Sequence, residues 1–100
     1  MAAPIWQAPS AELYGDIRIG NEVSIWPQAV LRAEMHHIEI GDHTNVQDFV
    51  MLHVANGPVV IGQHCSLTHH CIVHGAEVGD NTLIGINATP AVRPRLQDRS

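Results

Sequence analysis

Three histidines, His53, His69 and His74, lie in one short central stretch of the chain. Imidazole nitrogens bind zinc and related divalent metals, and three neutral imidazoles that leave one coordination position open are typical of catalytic zinc sites. Whether these side chains can reach one ion depends on the direction in which each projects. The sequence pattern that carries them therefore decides which chemistry is available.

Composition argues against several classes of protein. The chain has 100 residues, enough for one small domain, and its net charge of −5 argues against nucleic acid or an anionic membrane as a partner. No apolar run reaches about 18 residues, so no membrane span is predicted. The N-terminal residues lack the basic and apolar regions of a secretory signal, so a cytoplasmic location is expected. Cys65 and Cys71 fit no zinc-knuckle spacing and are expected to be reduced and buried.

An aliphatic residue recurs every six positions along most of the chain, with two insertions and one shortened step. The series is Leu13, Ile19, Ile25, Leu31, Ile40, Val46, Leu52, Ile61, Leu67, Val73, Val78 and Ile84. A period of six fits no α-helix, which has 3.6 residues per turn. Turn signals such as Gly41-Asp42 recur too often for long flat strands. The repeat is typical of an all-β triangular solenoid, in which each hexapeptide forms one short strand and one corner.

Taken three at a time, the repeat predicts one inward column on each of three faces. The first face holds Ile19, Ile40, Ile61 and Val78, the second Ile25, Val46, Leu67 and Ile84, and the third Leu13, Leu31, Leu52 and Val73. Both insertions, near residues 35–38 and 56–59, fall at the corner between the third and first faces, which supports the threefold count. A second position, four residues after each aliphatic, is usually small or apolar. It includes Met35, Cys65 and Cys71 and is also expected to point inward.

The repeat also predicts the organisation of the chain. Residues 1–12 form an N-terminal cap segment, residues 13–89 the solenoid domain, and residues 90–100 an irregular tail. Pro90 stands where the next third-face aliphatic would fall, and no pattern follows it. A solenoid needs a cap on its open end, so we expect a chain that is truncated at its C-terminus.

The columns indicate where the histidines project. His53 follows Leu52 and His74 follows Val73, so both are predicted to point outward on the third face, about 4.8 Å apart on adjacent coils. His69 lies two residues after Leu67 and points around an edge, so it cannot readily reach the same ion. If such prisms pack as a trimer, His69 of a neighbouring chain can supply the third ligand.

Four motifs resemble the γ-class carbonic anhydrases: LRAE (31–34), NVQD (45–48), LH (52–53) and THHCIVHG (68–75). Residues 15–30 and 78–89 are also similar. The resemblance implies a homotrimeric left-handed parallel β-helix of hexapeptide repeats, with metals at the subunit interfaces. It implies two ligands, His53 and His74, from one subunit and His69 from the next. Zinc is the expected metal, with iron or cobalt as alternatives.

The same resemblance implies roles for four further residues. Gln47 matches the residue that orients metal-bound water, Arg32 and Asp48 match an interface ion pair, and Asn45 matches a neighbouring polar residue. The chain departs from the family pattern at Ala33-Glu34, where Gly-Asp is usual, and at His70, where Gly usually follows the cross-subunit histidine. The loop at residues 56–58 carries no carboxylate for a proton shuttle. Further coils and a C-terminal helix, usual in the family, do not follow.

The predicted function is that of a carbonic anhydrase-type lyase, which hydrates carbon dioxide reversibly to bicarbonate by metal-bound hydroxide at a trimer interface. Two alternatives stay open. One is a hexapeptide-repeat acyltransferase that uses acetyl-CoA, with a histidine as general base. The other is a non-catalytic trimeric module that only binds metal. Chance pairs of histidines also occur: His43 and His64 have the same spacing as His53 and His74, and the favoured interpretation is an exposed column without metal.

Overall fold

The computed structural model describes residues 6–55 and 57–86 and the strand at 95–96. Twelve strands occur there: β1 (Trp6–Gln7), β2 (Glu12–Ile19), β3 (Ser24–Ile25), β4 (Val30–Ile40), β5 (Asn45–Val46), β6 (Met51–His53), β7 (Val59–Ile61), β8 (Ser66–Leu67), β9 (Ile72–His74), β10 (Glu77–Val78), β11 (Leu83–Ile84) and β12 (Arg95–Leu96). These parts of the chain contain no helix, and so none with the length and hydropathy needed to cross a membrane.

The strands stack in parallel into the three faces of a left-handed β-helix. The second face consists of β1, β3, β5, β8 and β11. The long strands β2 and β4 continue around the corner from the third face to the first. Their N-terminal halves lie on the third face, where β4 pairs with β6 and β6 pairs with β9. Their C-terminal halves lie on the first face, where β4 pairs with β7 and β7 pairs with β10. The register of β2 against β4 shifts between Gly15 and Ile17, at the corner where the first insertion was predicted.

The register confirms the three predicted columns. On the third face Leu31 pairs with Leu52 and Leu52 with Val73, and the other two faces stack their aliphatics in the same way. Leu31, Leu52 and Val73 are completely buried. Because successive side chains of a strand point to opposite sides, their sequence neighbours face outward. Burial of each large aliphatic side chain contributes about 1.5–3 kcal/mol relative to exposure.

The second inward position is confirmed at most sites but not at Met35. Cys65 and Cys71 are free and buried, as predicted, and the Cys65 thiol lies 3.2 Å from the Gly79 carbonyl oxygen. The prediction that Met35 points inward is wrong, because its side chain is 87% exposed. It lies in the corner insertion of β4, where the extra residues extend outside the inward alternation. Ala88, another predicted inward residue, lies outside the described residues.

The glycines that follow the first-face aliphatics allow adjacent coils to approach each other. A Cβ atom at Gly41 would lie 2.7 Å from the backbone carbon of Gly62, and one at Gly62 would lie 2.8 Å from the Asp80 nitrogen. No side chain fits at these distances without a shift of the backbone. The recurrence of glycine at the start of each first corner therefore has a steric cause.

Strands also form near both ends of the described chain. Strand β1, within the predicted N-terminal segment, pairs in parallel with β3. Its Trp6 contacts Trp26 edge-to-face, with ring centroids 4.9 Å apart. Strand β12, within the predicted irregular tail, pairs with β10 in the first-face column. The domain boundaries at residues 12 and 89 stay predictions.

Candidate metal centre

Two of the predicted ligands, His53 and His74, lie directly above one another on the third face. They are Cα partners in β6 and β9, and each is the outward residue after a buried column residue. Their rings stack with centroids 5.0 Å apart and an interplanar angle of 9°. The predicted outward pair of imidazoles on adjacent coils is present in the structure.

Two charged residues of β4 surround the His53 ring. Arg32 Nη2 lies 3.2 Å and Glu34 Oε1 2.8 Å from His53 Nε2. The hydrogen bond with His53 holds the pKa of the Glu34 carboxyl below its ordinary value against an opposing effect of desolvation, and the charge of Arg32 also lowers this pKa. Arg32 Nε lies 3.3 Å from Glu34 Oε2. The Nε atom is buried, and it forms no hydrogen bond with any described residue. The column therefore contains a cation with an unsatisfied donor.

The other predicted site residues lie together on the second face. His69 is in the turn after β8, half exposed, with Nδ1 3.6 Å from Asp48 Oδ1. Gln47 Nε2 donates to Asn45 Oδ1 at 2.8 Å, which leaves Gln47 Oε1 as the atom that can accept a hydrogen bond. These four residues, with Ser24 and Trp26, line an open groove of about 520 Å³. The groove combines polar groups with one aromatic wall.

The predicted residues thus form two groups on different faces of the chain. Arg32 contacts Glu34 and His53, and Asp48 contacts His69, so the predicted Arg32–Asp48 ion pair does not form within one chain. Among residues 6–55 and 57–86, no three His, Cys, Asp or Glu side chains of one chain are arranged to hold a metal ion. The three predicted ligands, His53, His69 and His74, do not come together within the described part of one chain.

Comparison with curated proteins reveals the family. Over 83 residues, 82% of this chain, the sequence is 40% identical to a probable carbonic anhydrase of Methanocaldococcus jannaschii. Over 92 residues, 85% of this chain, it is 37% identical to the mitochondrial gamma carbonic anhydrase 2 of Arabidopsis thaliana. The chain is a relative of the γ-class carbonic anhydrases. It spans 52% of the length of the archaeal protein and 33% of the plant protein.

A solved structure shares the fold of this γ-carbonic anhydrase relative. A hexapeptide transferase family protein from Anaplasma phagocytophilum superposes with a TM-score of 0.61, covering 92% of this chain and 74% of that one. Its sequence identity is 24%, so the likeness concerns the fold alone. No protein-family model matches the chain.

The similarity to γ-carbonic anhydrases implies a bound metal. On the third face, His53 and His74 could supply two of its ligands. To hold one ion at about 2.0–2.1 Å from a nitrogen of each ring, the stacked rings of His53 and His74, whose centroids are 5.0 Å apart, would have to tilt toward each other. The Glu34 carboxylate must also leave His53 Nε2 if that nitrogen binds the ion. Both movements concern side chains that are at least partly exposed.

Sequence reasoning did not predict two contacts near the centre. The pairing of Glu34 with His53 was missed, although Arg32 and Glu34 project from the same side of β4 and the register places Arg32 beside His53. His70 stacks on Phe49 with ring centroids 4.8 Å apart and an interplanar angle of 2°. Both residues have left-handed backbone conformations at equivalent corner positions. The repeat alone could therefore have predicted that they lie next to each other on adjacent coils.

Proposed function

We propose that the chain is an enzyme of the γ-carbonic anhydrase type, which hydrates carbon dioxide reversibly at a metal centre shared between neighbouring chains of a homotrimer. The observation that carries this proposal is the division of the histidines, with a stacked pair on one face and His69 beside Gln47 on another. The names of the curated relatives agree with it. The fold alone does not, because hexapeptide-repeat solenoids also serve transferases.

The residues proposed to hold the metal are His53 and His74 of one chain and His69 of the next. Zinc is the first candidate, and iron or cobalt also suits imidazole ligands. When bound, such an ion supplies hydroxide from water near neutral pH. Asp48 lies beside His69 Nδ1, where its charge favours the tautomer that presents Nε2 to an ion.

The groove residues are proposed to position the reacting molecules. Gln47 Oε1 accepts a hydrogen bond from the water, and the bond from its Nε2 to Asn45 fixes the orientation of the amide. Asn45 is itself anchored, because its Nδ2 donates to Ser66 Oγ at 3.0 Å. Trp26 offers an apolar surface to carbon dioxide. The proton released passes to buffer or to a nearby histidine.

The Nε atom of Arg32 supports a partner chain, although it lies 3.3 Å from Glu34 Oε2. This atom is buried and forms no hydrogen bond with the described residues of its own chain. Asp48 of a neighbouring chain is proposed as the acceptor, which would form the predicted interface ion pair. We also propose that the trimer is located in the cytoplasm.

The test measures metal content, oligomer mass and stopped-flow hydration of carbon dioxide on the same full-length sample. Bound zinc or cobalt with hydration activity supports the proposal. Gln47→Leu should then lower the activity roughly 10–100-fold with the metal retained, as is usual for groups outside the ligand set. Metal without hydration would instead indicate the non-catalytic module. A chain with neither would reopen the acyltransferase, to be assayed with acetyl-CoA.

A further inference from the structure

A second pair of histidines stacks at the corner between the first and second faces. Glu22, His43 and His64 occupy the same turn position in successive coils, with φ of 56°, 60° and 56°. This left-handed conformation is uncommon outside glycine, although Asn, Asp and His adopt it more readily than most residues. The turns are tied to each other, because the His43 amide donates to the Asn21 carbonyl and the His64 amide to the Asp42 carbonyl, at 3.0 and 2.9 Å. Equal backbone conformations in register make the three side chains project in one direction.

The geometry of this pair equals that of the predicted ligand pair. The rings of His43 and His64 have centroids 4.9 Å apart and an interplanar angle of 8°, against 5.0 Å and 9° for His53 and His74. Both His43 and His64 are exposed, so their rings can tilt toward a shared ion. The two columns therefore have the same ability to bring two imidazole nitrogens together.

The orientation of His43 distinguishes this corner from a chance stack. Its Nδ1 lies 3.1 Å from Glu22 Oε2, so Nδ1 faces the carboxylate and Nε2 points away from it. A carboxylate behind a histidine in this way is the usual partner of a metal ligand, because it fixes the tautomer and raises the basicity of the other nitrogen. At His53, by contrast, it is Nε2 that faces the carboxylate.

We propose that His43 and His64 form a second metal site, on the surface of a single chain, for a late first-row divalent cation. Nε2 of each ring binds the ion, water completes its coordination, and Glu22 positions His43. With two protein ligands the site is weaker than a three-histidine centre. Cu²⁺ should bind most tightly and Zn²⁺ less tightly, as the general order of affinities requires. The contact with Glu22 is the reason for proposing a metal here, where the sequence pattern favoured a metal-free column.

The experiment uses full-length chain carrying His53→Ala, His69→Ala and His74→Ala, titrated with Cu²⁺ and followed by electron paramagnetic resonance. About one Cu²⁺ per chain should bind, with hyperfine structure from two imidazole nitrogens. Adding His43→Ala and His64→Ala should remove this signal. Adding His36→Ala and His37→Ala, the matched control, should leave it. Glu22→Gln should weaken the affinity about 10-fold.

Three results would overturn the proposal: a signal that survives loss of His43 and His64, a signal that disappears with His36 and His37, or an affinity that Glu22→Gln leaves unchanged. If the triple-alanine background does not fold, the same additions are made to the wild-type chain. There, His43→Ala with His64→Ala should remove one class of bound Cu²⁺ and leave the remainder. This readout does not depend on hydration activity and is therefore separate from the proposed function.

Discussion

His53 and His74 stack ring over ring with centroids 5.0 Å apart, while His69 lies on another corner of the same chain, within 3.6 Å of Asp48. One solenoid therefore presents two imidazoles in one direction and the third in a different one. A shared ion would link the stability of the assembly to the metal, because a ligand that binds only the assembled state stabilises it by mass action.

Mixing of variants should restore a cross-chain site. Subunits with His69→Ala are mixed with subunits carrying both His53→Ala and His74→Ala, and the mixture is reassembled. Neither parent alone has a complete site, but a mixed trimer has an interface where intact His53 and His74 meet an intact His69. Zinc bound per chain, measured after removal of free metal, should rise on mixing.

The matched control is a mixture of two variants that both lack His69, so that no chain can supply the third ligand. Their mixture should bind no more zinc than either parent. A cross-chain site is contradicted if the first mixture exchanges subunits, as shown by mass spectrometry, yet gains no metal. Stoichiometric zinc on an isolated monomer in which His43 and His64 are replaced by alanine would contradict it as well.

The buried column on the third face predicts a sharp difference between two aspartate variants. Leu52 is completely buried between Leu31 and Val73, whereas Met35 is 87% exposed. Leu52→Asp should abolish soluble folding, because an unpaired buried carboxylate costs several kcal/mol. Met35→Asp should change the free energy of unfolding by no more than about 0.5 kcal/mol. The soluble fraction after expression tests Leu52→Asp. Denaturant titration followed by circular dichroism measures Met35→Asp and Leu52→Ala, and Leu52→Ala is expected to lose about 2–5 kcal/mol.

The columns and corners were predictable because each follows from counting. A strict period of six places every third aliphatic on one face, and the register of Leu31, Leu52 and Val73 confirms it. Counting failed at Met35, because an inserted residue leaves the inward alternation while its number still matches the repeat. Handedness came from family resemblance, since the period is the same for either hand.

The candidate site was less predictable than the fold. Side-chain torsions decide that Glu34 reaches His53 Nε2 and that Glu22 reaches His43 Nδ1, and no spacing rule fixes torsions. Both contacts join residues on adjacent coils, so a register is needed before they can be considered. The ligand set of His53, His69 and His74 stays a prediction, because its third member is proposed to come from another chain.

Close approach of the coils predicts a contrast between two glycines. A Cβ at Gly41 would lie 2.7–2.8 Å from the backbone carbonyl group of Gly62, whereas one at Gly85 would have no atom within 4 Å. Gly41→Ala should therefore cost about 1–3 kcal/mol, as overpacking usually does. Gly85→Ala should be neutral or stabilise by up to about 1 kcal/mol through the unfolded state. Equal midpoints of denaturation for the two variants would contradict the close approach.

The buried thiol of Cys71 predicts a loss of stability at alkaline pH. Burial raises the pKa of Cys71 to about 11 from its ordinary value near 9.0. The native state then holds a proton that the unfolded chain releases, so the contribution is complete below pH 9 and is lost as the pH rises toward 11. The free energy of unfolding should fall by about 2 kcal/mol over this interval, at about 1.4 kcal/mol per pKa unit. Burial also raises the pKa of Cys65, which acts in the same direction.

The control for this alkaline loss is Cys71→Ala. The variant starts from a lower stability, because it leaves a small cavity, but its free energy of unfolding should fall less between pH 8 and pH 11 than that of the wild type. Thiol labelling at pH 8 gives an independent measurement. Both cysteines are buried and their thiols stay protonated at that pH, so reaction should be slow in native buffer and rapid in denaturant. Equal alkaline losses in variant and wild type, or rapid native labelling, would contradict a buried, protonated Cys71.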